Sequence, residues 1–420
     1  MARFLFVNQY YWPDLASTGQ HLTDLAEHLA AHGHQVTVLT SRGKYLGGEE
    51  RAPAKEFRNG VRITRLKGSG LGQRGGKLAR VLDYALFHLQ AGARVVFGKG
   101  HDVVVTLTTP PMLGLWGGLA RRFRGVRFVN YLMDLHPDAE FELGMLKRES
   151  LVGRFLDTVQ NFAVRTADSN VVLGPYMAAR VRQRGVPASR VTEIPVWSSK
   201  EDVEPLEHEQ NPLRHSFGWD GRFVVLYSGN AGLLHCFDEL LDAAEQLQHA
   251  APEVLFAFIG GGPRRAELEQ QVQDRGLTNV EFRGYLPRED LKHSLPAADV
   301  HFMSLRPEQT GVAVPGKLYG ILAAGRPVLF VGARRCESAD TIRAAGAGMT
   351  FGLGESEALA QAILKLREER GTCHRMGRAA RTAFLATFER EVACERWRGF
   401  LEETAGEVVQ TAASKERRAA

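Results

Sequence analysis

The chain has 420 residues, a hydrophobic fraction of 44%, a charged fraction of 24% and a formal net charge of +5. These values are typical of a soluble globular protein with two or three domains. Its longest apolar runs, such as residues 223–227, fall far short of the roughly 20 residues that a membrane-spanning helix needs.

The cysteines and the N-terminus indicate a cytoplasmic protein. The four cysteines are far apart and form no metal-ligand pattern, so we predict neither a disulfide framework nor a zinc site. Scattered cysteines fit a reducing cytoplasm. The start of the chain, MARFLFVNQYYWPD, lacks the features of a signal peptide and is better interpreted as a first buried strand.

The charge is uneven along the chain. Residues 1–198 hold 26 Lys and Arg against 16 Asp and Glu, whereas the remaining residues hold 27 against 32. A basic N-terminal half suits an anionic membrane surface, or is simply a solvated surface without a partner. Nucleic acid is not expected as a partner, because the basic residues lack interleaved aromatic residues and no nucleic-acid motif occurs.

The first 198 residues alternate short apolar runs with helical patterns. The strand RFLFVNQ precedes a helix at residues 18–31, which has Leu22, Leu25 and Leu29 at helical spacing and ends at Gly33. Such alternation with apolar strands predicts a parallel sheet that is covered on both faces. The further strands predicted here are QVTVLTS, GVRITRL, DVVVTLT, VRFVNYL, SNVVLG and VTEIPVWSS.

The pattern restarts after the polar, acidic residues 199–219, which we interpret as an interdomain linker and lead-in. The strands predicted beyond it are FVVLYSG, VLFAFIGGGP, NVEFRGYL, DVHFMSL and PVLFVG. We therefore predict two α/β domains, at residues 1–198 and 199–389. An amphipathic helix is predicted at residues 390–410 and a disordered tail at 411–420.

Loops beyond the carboxyl ends of parallel strands are the candidate sites in such domains. In the first half, Gly19 lies at the start of the first helix, where free N–H groups attract negative charge, but a structural turn explains it as well. Asp134 and His136 follow the strand VRFVNYL and are candidates for acid–base or hydroxyl contacts, with capping as the alternative.

The second half offers two glycine-containing loops. Asn230 follows FVVLYSG, and His235 lies shortly after it as a possible donor to a phosphate oxygen, or as a capping residue. Gly261 and Gly262 follow VLFAFI and allow either close approach of a ligand to the backbone or a tight strand–helix turn.

A third loop of the second half carries a cation. Lys317 lies at the start of a short helix in the run VPGKLYG, where an ammonium group adds to the N–H donors of the helix start. The combination suits a diphosphate, whereas a lone lysine is ordinarily solvated.

Taken together and in this order, these segments resemble family 4 glycosyltransferases of the GT-B fold, over nearly the whole chain. The run PGKLYGILAAGRPVL most resembles the subgroup that builds O-antigen and capsular polysaccharides, including fucosyl- and N-acetyl-fucosaminyl-transferases. The resemblance implies two facing Rossmann-like domains with parallel sheets, the second binding the donor. It also implies a last helix that crosses back to the N-terminal domain.

The resemblance further implies a retaining transfer from a nucleotide sugar, usually UDP-linked, without a required metal or cofactor. Acceptors in this family are often polyprenyl-linked glycans at the inner leaflet, which would explain the basic N-terminal half. The basic candidates for a peripheral membrane contact are Arg74, Lys77, Arg80 and the run Arg121-Arg122-Phe123-Arg124.

The resemblance also assigns roles. The departing diphosphate gathers negative charge, so dipoles and cations should lie where that charge develops. The residues matching this position are Gly19, Asn230, His235, Pro315, Gly316, Lys317 and Leu318. Gly261, Gly262 and the stretch from Arg283 to Leu286 match the wall that holds the nucleotide base. Asp134 and His136 match the loop near the reacting sugar and the acceptor.

The sequence departs from the family pattern at two points. Many members of the family carry two glutamates eight residues apart, of which the first usually contacts the donor sugar and the second the ribose. The corresponding residues here are Val312 and Gly320, respectively. The usual Arg and Lys of the first C-domain loop correspond to Asn230 and His235. These replacements weaken the electrostatic attraction of the loop for the diphosphate. Our hypothesis is that the charge of Lys317 compensates for this loss.

Two alternatives share the architecture. One is a non-hydrolysing UDP-sugar 2-epimerase, and the other is a non-catalytic nucleotide-sugar-binding subunit of another transferase. A dehydrogenase is disfavoured, because no dinucleotide fingerprint occurs.

Overall fold

The computed structural model describes residues 1–14, 16–42, 52–68 and 76–419. The side chains of residues 76–78, 80 and 407–419 lie outside this description. The chain divides into two compact units. Unit 1 contains residues 1–195, 311–313 and 393–420, and unit 2 contains residues 196–310 and 314–392.

Unit 1 is built on strands alternating with helices. Its strands are β1 Arg3–Val7, β2 Gln35–Ser41, β3 Lys55–Arg58, β4 Val61–Leu66, β5 Val103–Thr106, β6 Arg127–Tyr131, β7 Ser169–Val172 and β8 Val191–Glu193. Its helices are α1 Ser17–Ala31, α2 Gly76–Phe97, α3 Gly114–Arg124, α4 Asp138–Glu142, α5 Leu151–Thr166 and α6 Pro175–Gln183.

Within the described residues, the sheet of unit 1 has the strand order β3-β4-β2-β1-β5-β6-β7-β8. Its strands pair in parallel, except that β3 pairs antiparallel with β4 at the edge. The central strands are apolar runs with both faces covered, as the sequence predicted: Val103, Val104 and Val105 of β5 are all fully buried. The strand β3 was not predicted.

Unit 2 is also built on strands that alternate with helices. Its strands are β9 Phe223–Ser228, β10 Val254–Ile259, β11 Val280–Arg283, β12 Val300–Ser304, β13 Val328–Val331 and β14 Gly348–Phe351. Its helices are α7 Pro212–Ser216, α8 Asp238–Ala250, α9 Arg265–Asp274, α10 Leu291–Ser294, α11 Lys317–Ala323, α12 Glu337–Ala345, α13 Ser356–Glu368 and α14 Arg370–Ala383.

The sheet of unit 2 is parallel in the order β11-β10-β9-β12-β13-β14. This is the doubly wound Rossmann order, in which the strand order reverses between β9 and β12. Ligands bind such sheets beyond the carboxyl ends of the strands near that reversal. The prediction of two Rossmann-like α/β domains is therefore confirmed.

The predicted linker is partly folded into unit 2. Helix α7 lies within residues 199–219, and its Arg214 is buried. The guanidinium of Arg214 donates to Asp299 at 3.0 Å and to the carbonyl oxygen of Ala297 at 2.7 Å. A buried, satisfied ion pair of this kind fixes the segment onto the domain.

The last helix, α15 Arg390–Ala419, belongs to unit 1 from Ala393 onward. Trp397 of this helix is fully buried and meets Tyr131 of β6 edge-on, with ring centroids 4.6 Å apart. The helical backbone continues through residues 411–419, where the sequence suggested a disordered tail, and the side chains of those residues lie outside the description.

Candidate functional site

A cavity of about 220 Å³ lies in unit 2 at the carboxyl ends of β9, β10 and β11. Its lining includes Tyr227, Gly229, Gly260, Gly261, Arg265 and Phe282. Gly229, Gly260 and Gly261 come from the two glycine-containing loops in which the sequence predicted a donor site, whereas Arg265 and Phe282 were not predicted.

Three glycines bring the loops after β9 and β10 into backbone contact. Gly229, Gly260 and Gly262 have φ values of +127°, +131° and +126°, which side chains rarely allow. A Cβ atom on Gly262 would lie 2.7 Å from both the backbone N and O of Ala231. The alternative of a tight structural turn therefore explains Gly262 fully, while the exposed Asn230 also lies against it.

The side chain of Lys317 reaches into this group of loops. Its Nζ atom lies 3.7 Å from the centroid of the Tyr227 ring, and a Cβ on Gly229 would lie 3.5 Å from it. Among the described residues, this buried Nζ has no hydrogen-bond partner. Burial lowers the pKa of Lys317 to about 7, because the charged form loses its solvation.

The start of α11 offers less than the sequence suggested. The N–H groups of Leu318 and Tyr319 already donate to the carbonyl oxygens of Pro315 and Gly316, both at 3.2 Å. The helix is also short, at seven residues. The ammonium of Lys317 is therefore the main group here that an anion could use.

His235 is buried and lies edge-on to Tyr227. Its Nδ1 lies 2.6 Å from the carbonyl oxygen of Ser304, so Nδ1 carries the proton and donates. Burial, followed by the nearby charge of Lys317, lowers the pKa of His235 to about 3. The neutral ring has no proton on Nε2, so donation from His235 to a diphosphate requires a protonated ring, and this role stays a prediction.

The predicted wall of the nucleotide-base site contains side chains that are engaged in packing and one that is exposed. The Arg283 guanidinium lies 3.8 Å from the Phe217 ring centroid and bonds Glu281 at 2.8 Å, so its side chain is already engaged. Leu286 packs beside the same cluster. The exposed ring of Tyr285 instead lies next to Gly261, where it offers an aromatic face.

Unit 1 has its own polar cavity of about 240 Å³ at the carboxyl ends of β5 and β6. Its lining includes Asp134, His136, Asn130, Gln160 and Thr108. Asp134 and His136 thus line the same cavity, and their role near the reacting sugar and the acceptor stays a prediction.

The titratable groups of this cavity are coupled. His136 Nδ1 lies 2.7 Å from a carboxylate oxygen of Glu140. Burial opposes the charged ring, but the hydrogen bond and charge of Glu140, with the charges of Asp134 and Asp138, outweigh it, so the pKa of His136 is raised. Burial and, to a lesser extent, Glu140 raise the pKa of Asp134, although His136 opposes this. Such perturbed pairs are typical of functional sites.

Gly19 supports the structural alternative that the sequence left open. Its N–H group donates to the carbonyl oxygen of Ala16 at 2.9 Å. A Cβ at this position would lie 3.1 Å from the backbone of Tyr10, so close packing accounts for the glycine. The N–H group of Gly19 is therefore already hydrogen-bonded.

Sequence reasoning missed three residues of unit 2. Tyr227 carries Lys317 on its face, and its hydroxyl donates to the Asn230 carbonyl at 2.7 Å. Arg265 lines the cavity and donates to the carbonyl oxygens of Gly260 and Arg283. Gln309 is fully buried, and neither atom of its amide has a partner among the described residues. Only the position of Arg265 after the glycine cluster gave a signal in the sequence.

The basic run in α3 is partly engaged. Arg121 forms a bidentate pair with Asp168, and Arg124 donates to the carbonyl oxygen of Val95. Arg122 and Phe123 are exposed. Arg74 and the side chains of Lys77 and Arg80 lie outside the described residues.

Two protein families match consecutive parts of the chain. The glycosyl transferase 4-like domain matches residues 18–197, and the glycosyl transferases group 1 family matches residues 209–383. Together with the two Rossmann-like units, these matches define a glycosyltransferase. The chain belongs to the glycosyltransferases that combine these two domains.

Two relatives illustrate the similarity. The chain is 28% identical to the probable glycosyltransferase WbjE of Pseudomonas aeruginosa, over 69% of this chain and 72% of that protein. It is 26% identical to the putative colanic acid biosynthesis glycosyl transferase WcaI of Escherichia coli K12, over 75% and 79% of the two chains.

Solved structures share the fold. The structure of the HepE protein of Anabaena in complex with UDP-glucose matches with a TM-score of 0.71 at 17% identity. The match covers 96% of this chain and 100% of the HepE chain. WaaG, a glycosyltransferase of lipopolysaccharide biosynthesis, has a TM-score of 0.68 at 17% identity, with 94% and 99% covered. The fold is therefore GT-B, as expected. The fucosyl and N-acetyl-fucosaminyl subgroup stays a prediction.

Proposed function

We propose that this glycosyltransferase transfers a hexosyl or acetamido sugar, with retention, from a UDP-sugar to a glycan or lipid-linked glycan in surface polysaccharide synthesis. The names of WbjE and WcaI and the UDP-glucose complex of HepE support this assignment. The observation that carries it is the buried ammonium of Lys317, which lies beside the cavity of unit 2 and has no hydrogen-bond partner among the described residues.

The chemistry of the leaving group explains why such a lysine is useful. A buried cation without a counterion is costly, so the site is poised to accept an anion. A UDP-sugar supplies two phosphates, and the leaving UDP gains further negative charge as the glycosidic bond to the sugar breaks. An ammonium that is already in position stabilises this charge without having to reorganise.

The base and the sugar would use other groups of unit 2. The exposed ring of Tyr285 beside Gly261 provides a face on which a nucleobase can stack. The buried amide of Gln309 lies in the segment where relatives commonly carry a glutamate that contacts the sugar, and it supplies the unsatisfied donor and acceptor that a hydroxyl needs.

The cavity of unit 1 is assigned to the acceptor and the reacting sugar. Asp134 has a raised pKa and His136 is oriented by Glu140, so the pair can exchange a proton with, or bind, a hydroxyl group. The transfer needs no metal or cofactor in this proposal, since Lys317 supplies the positive charge.

The test has two stages. Binding of nucleoside diphosphates and their sugars is first screened by the rise in melting temperature, because a ligand of the folded state raises it. Donors that bind are then incubated with glycan acceptors, and the anomeric configuration of the product is determined by NMR. We expect a UDP-sugar to bind and an acceptor-dependent product that retains the donor configuration.

The alternatives give different results in the same experiment. Conversion of a UDP-sugar without any acceptor would identify an epimerase. Tight binding of UDP without turnover on any acceptor would identify a non-catalytic subunit. An inverted product would contradict retention while leaving the transferase assignment intact.

We also propose a peripheral contact with anionic membranes through unit 1. Among the described helices, none is both long and apolar enough to cross a bilayer. Helix α2 exposes Val81, Leu89 and Phe97, and α3 exposes Phe123 beside Arg122. Apolar side chains next to basic ones suit an anionic lipid surface. Binding of the chain to anionic vesicles at low salt tests this, and equal binding to neutral vesicles would contradict it.

A further inference from the structure

Two histidines lie one turn apart near the end of α1, on the side of unit 1 that carries the C-terminal helix. His28 and His32 are in the i and i+4 positions, so their rings lie on the same face of the helix. Their ring centroids are 4.3 Å apart. His28 is partly buried and His32 is exposed, so an ion could enter from solvent.

A carboxylate from α15 completes a group of three. An oxygen of Glu395 lies 3.4 Å from Nε2 of His28. One ligand atom from each of His28, His32 and Glu395 lies within 4.8 Å of the others, and the described residues contain no other His, Cys, Asp or Glu group of three this close. Ligands about 2.0–2.1 Å from a tetrahedral zinc ion are about 3.4 Å apart, which matches the His28–Glu395 distance.

The orientation of His32 also suits a ligand. Its Nδ1 donates to the carbonyl oxygen of His28 at 2.8 Å, which fixes the proton on Nδ1 and leaves the lone pair on Nε2. Metal-bound histidines commonly use such a second hydrogen bond to hold the ring in place. The C-terminal end of a helix also favours positive charge.

One neighbouring cation competes for the carboxylate. Arg398 bonds Glu395 through Nε at 2.9 Å and also through its terminal nitrogen. The same guanidinium bonds Glu402 at 2.9 Å, so it keeps a partner if Glu395 turns towards an ion. Arg398 therefore weakens metal binding without blocking it.

We propose that His28, His32 and Glu395 bind a divalent first-row transition-metal ion such as Zn²⁺, with water as the remaining ligand, and so fasten α15 to α1. Two imidazoles and one carboxylate suit zinc, copper and nickel better than magnesium. The site is separate from the proposed donor chemistry. His28, His32 and Glu395 all belong to unit 1, whereas the proposed donor site is in unit 2.

The sequence predicted no metal site, because that prediction rested on cysteine spacing and on the family resemblance. The histidines alone are a common helical pair, and Glu395 is 367 residues from His28. Only the packing of α15 against α1 brings the third ligand to the pair.

The test is calorimetric titration of the full chain, first stripped with a chelator, using ZnCl₂ and then MgCl₂. We expect one zinc site, no magnesium binding there, and a melting temperature that rises with zinc. His32→Ala should weaken zinc binding at least about tenfold, because even the loss of a residue that hydrogen-bonds a metal ligand lowers metal affinity that much. Arg398→Gln should tighten binding, because it removes the competing cation.

The matched control is His215→Ala. His215 is exposed and lies 2.8 Å from the Asp220 carboxylate, so it resembles one half of the site. It should bind zinc like the wild type. Equal zinc binding by the wild type and His32→Ala would overturn the proposal, as would the absence of binding at millimolar zinc. If His32→Ala itself melts lower without zinc, the Arg398→Gln titration decides, and unchanged affinity there overturns the proposal.

Discussion

The ammonium of Lys317 lies 3.7 Å from the centre of the Tyr227 ring and has no hydrogen-bond partner among the described residues. A cation on an aromatic face is stabilised only modestly, by about 0.5–2 kcal/mol. The contact therefore orients the ammonium beside the cavity of unit 2 while leaving its donors available to an anion.

The first prediction concerns pH. The pKa of Lys317 is lowered to about 7, so the unliganded amine loses its proton as the pH rises through 7. Binding a diphosphate above this pH requires proton uptake, and the Kd of UDP should rise with pH by up to about tenfold per unit. The pKa values of His235 and His301 are lowered to about 3 and 4, so these groups do not titrate in this range.

Lys317→Arg separates this effect from others, because arginine keeps its charge throughout the range. Its affinity for UDP should be nearly independent of pH between 7 and 9. The same steep pH dependence in this variant would show that another group takes up the proton.

The lowered pKa also affects stability. The unfolded chain binds the lysine proton more tightly than the folded chain, so this group makes folding more favourable as pH rises from about 7 to 10.5. Below pH 7 the lysine is protonated in both states, and the folded chain bears the full cost of burying the charge. Lys317→Met should therefore raise the melting temperature of the ligand-free protein at pH 6 and reduce its dependence on pH. An unchanged melting curve at pH 6 would contradict the burial of the charge.

The second prediction concerns the glycine contact. Gly262→Ala introduces a Cβ against the backbone of Ala231, at a φ of +126° that alanine does not tolerate. We expect a loss of about 1–3 kcal/mol in unfolding free energy and a loss of UDP binding, measured by denaturant titration and calorimetry. Gly399→Ala is the control, because its Cβ would meet nothing within 4 Å and it lies in unit 1. Comparable damage from both variants would refute the role of this contact.

The third prediction concerns Asp134. Asp134→Asn keeps the shape of the side chain but removes its acid–base function and its charge beside His136. We expect kcat to fall by about a hundredfold while the Kd of UDP is unchanged, since the proposed UDP site is in unit 2. Glu149→Gln, an exposed carboxylate of unit 1, should leave both values unaffected. A wild-type kcat in Asp134→Asn would remove this residue from the mechanism.

The fourth prediction concerns the buried amide of Gln309. An unsatisfied buried polar group costs about 1–3 kcal/mol, so Gln309→Met should stabilise the ligand-free protein. If the amide binds the donor sugar, the variant loses affinity for the UDP-sugar but not for UDP. The exposed Gln270→Met serves as the control. A variant that binds the UDP-sugar as the wild type does would exclude Gln309 from sugar recognition.

The sequence predicted the architecture well, because most parallel strands are short apolar runs and α1 has a regular apolar stripe. The strand β14, at one edge of the sheet of unit 2, was not predicted. Leu22, Leu25 and Leu29 are all buried, as expected. The strand β3 was missed, since its exposed and intermediate residues KEFR carry no apolar run. Local patterning therefore defined the two domains but not the sheet edge.

The site was predicted less completely, because its properties depend on distant contacts. Lys317 follows the exposed Gly316, so nothing local indicated that its ammonium is buried on Tyr227, 90 positions earlier. The proton position on His235 depends on a carbonyl oxygen of Ser304. Gly19 was predicted to lie in a ligand-binding loop, but the close approach of the Tyr10 backbone accounts for a glycine at this position.

The most direct test of the account is the affinity of UDP for three proteins: the wild type, Lys317→Met and Lys292→Met, measured by calorimetry at pH 7. Lys292 is an exposed lysine of unit 2 and controls for the loss of one positive charge. We predict that Lys317→Met binds UDP about 10–100-fold more weakly, the value of a charge-assisted hydrogen bond, while Lys292→Met matches the wild type. Equal affinity in all three folded proteins would contradict the claim that Lys317 holds the diphosphate.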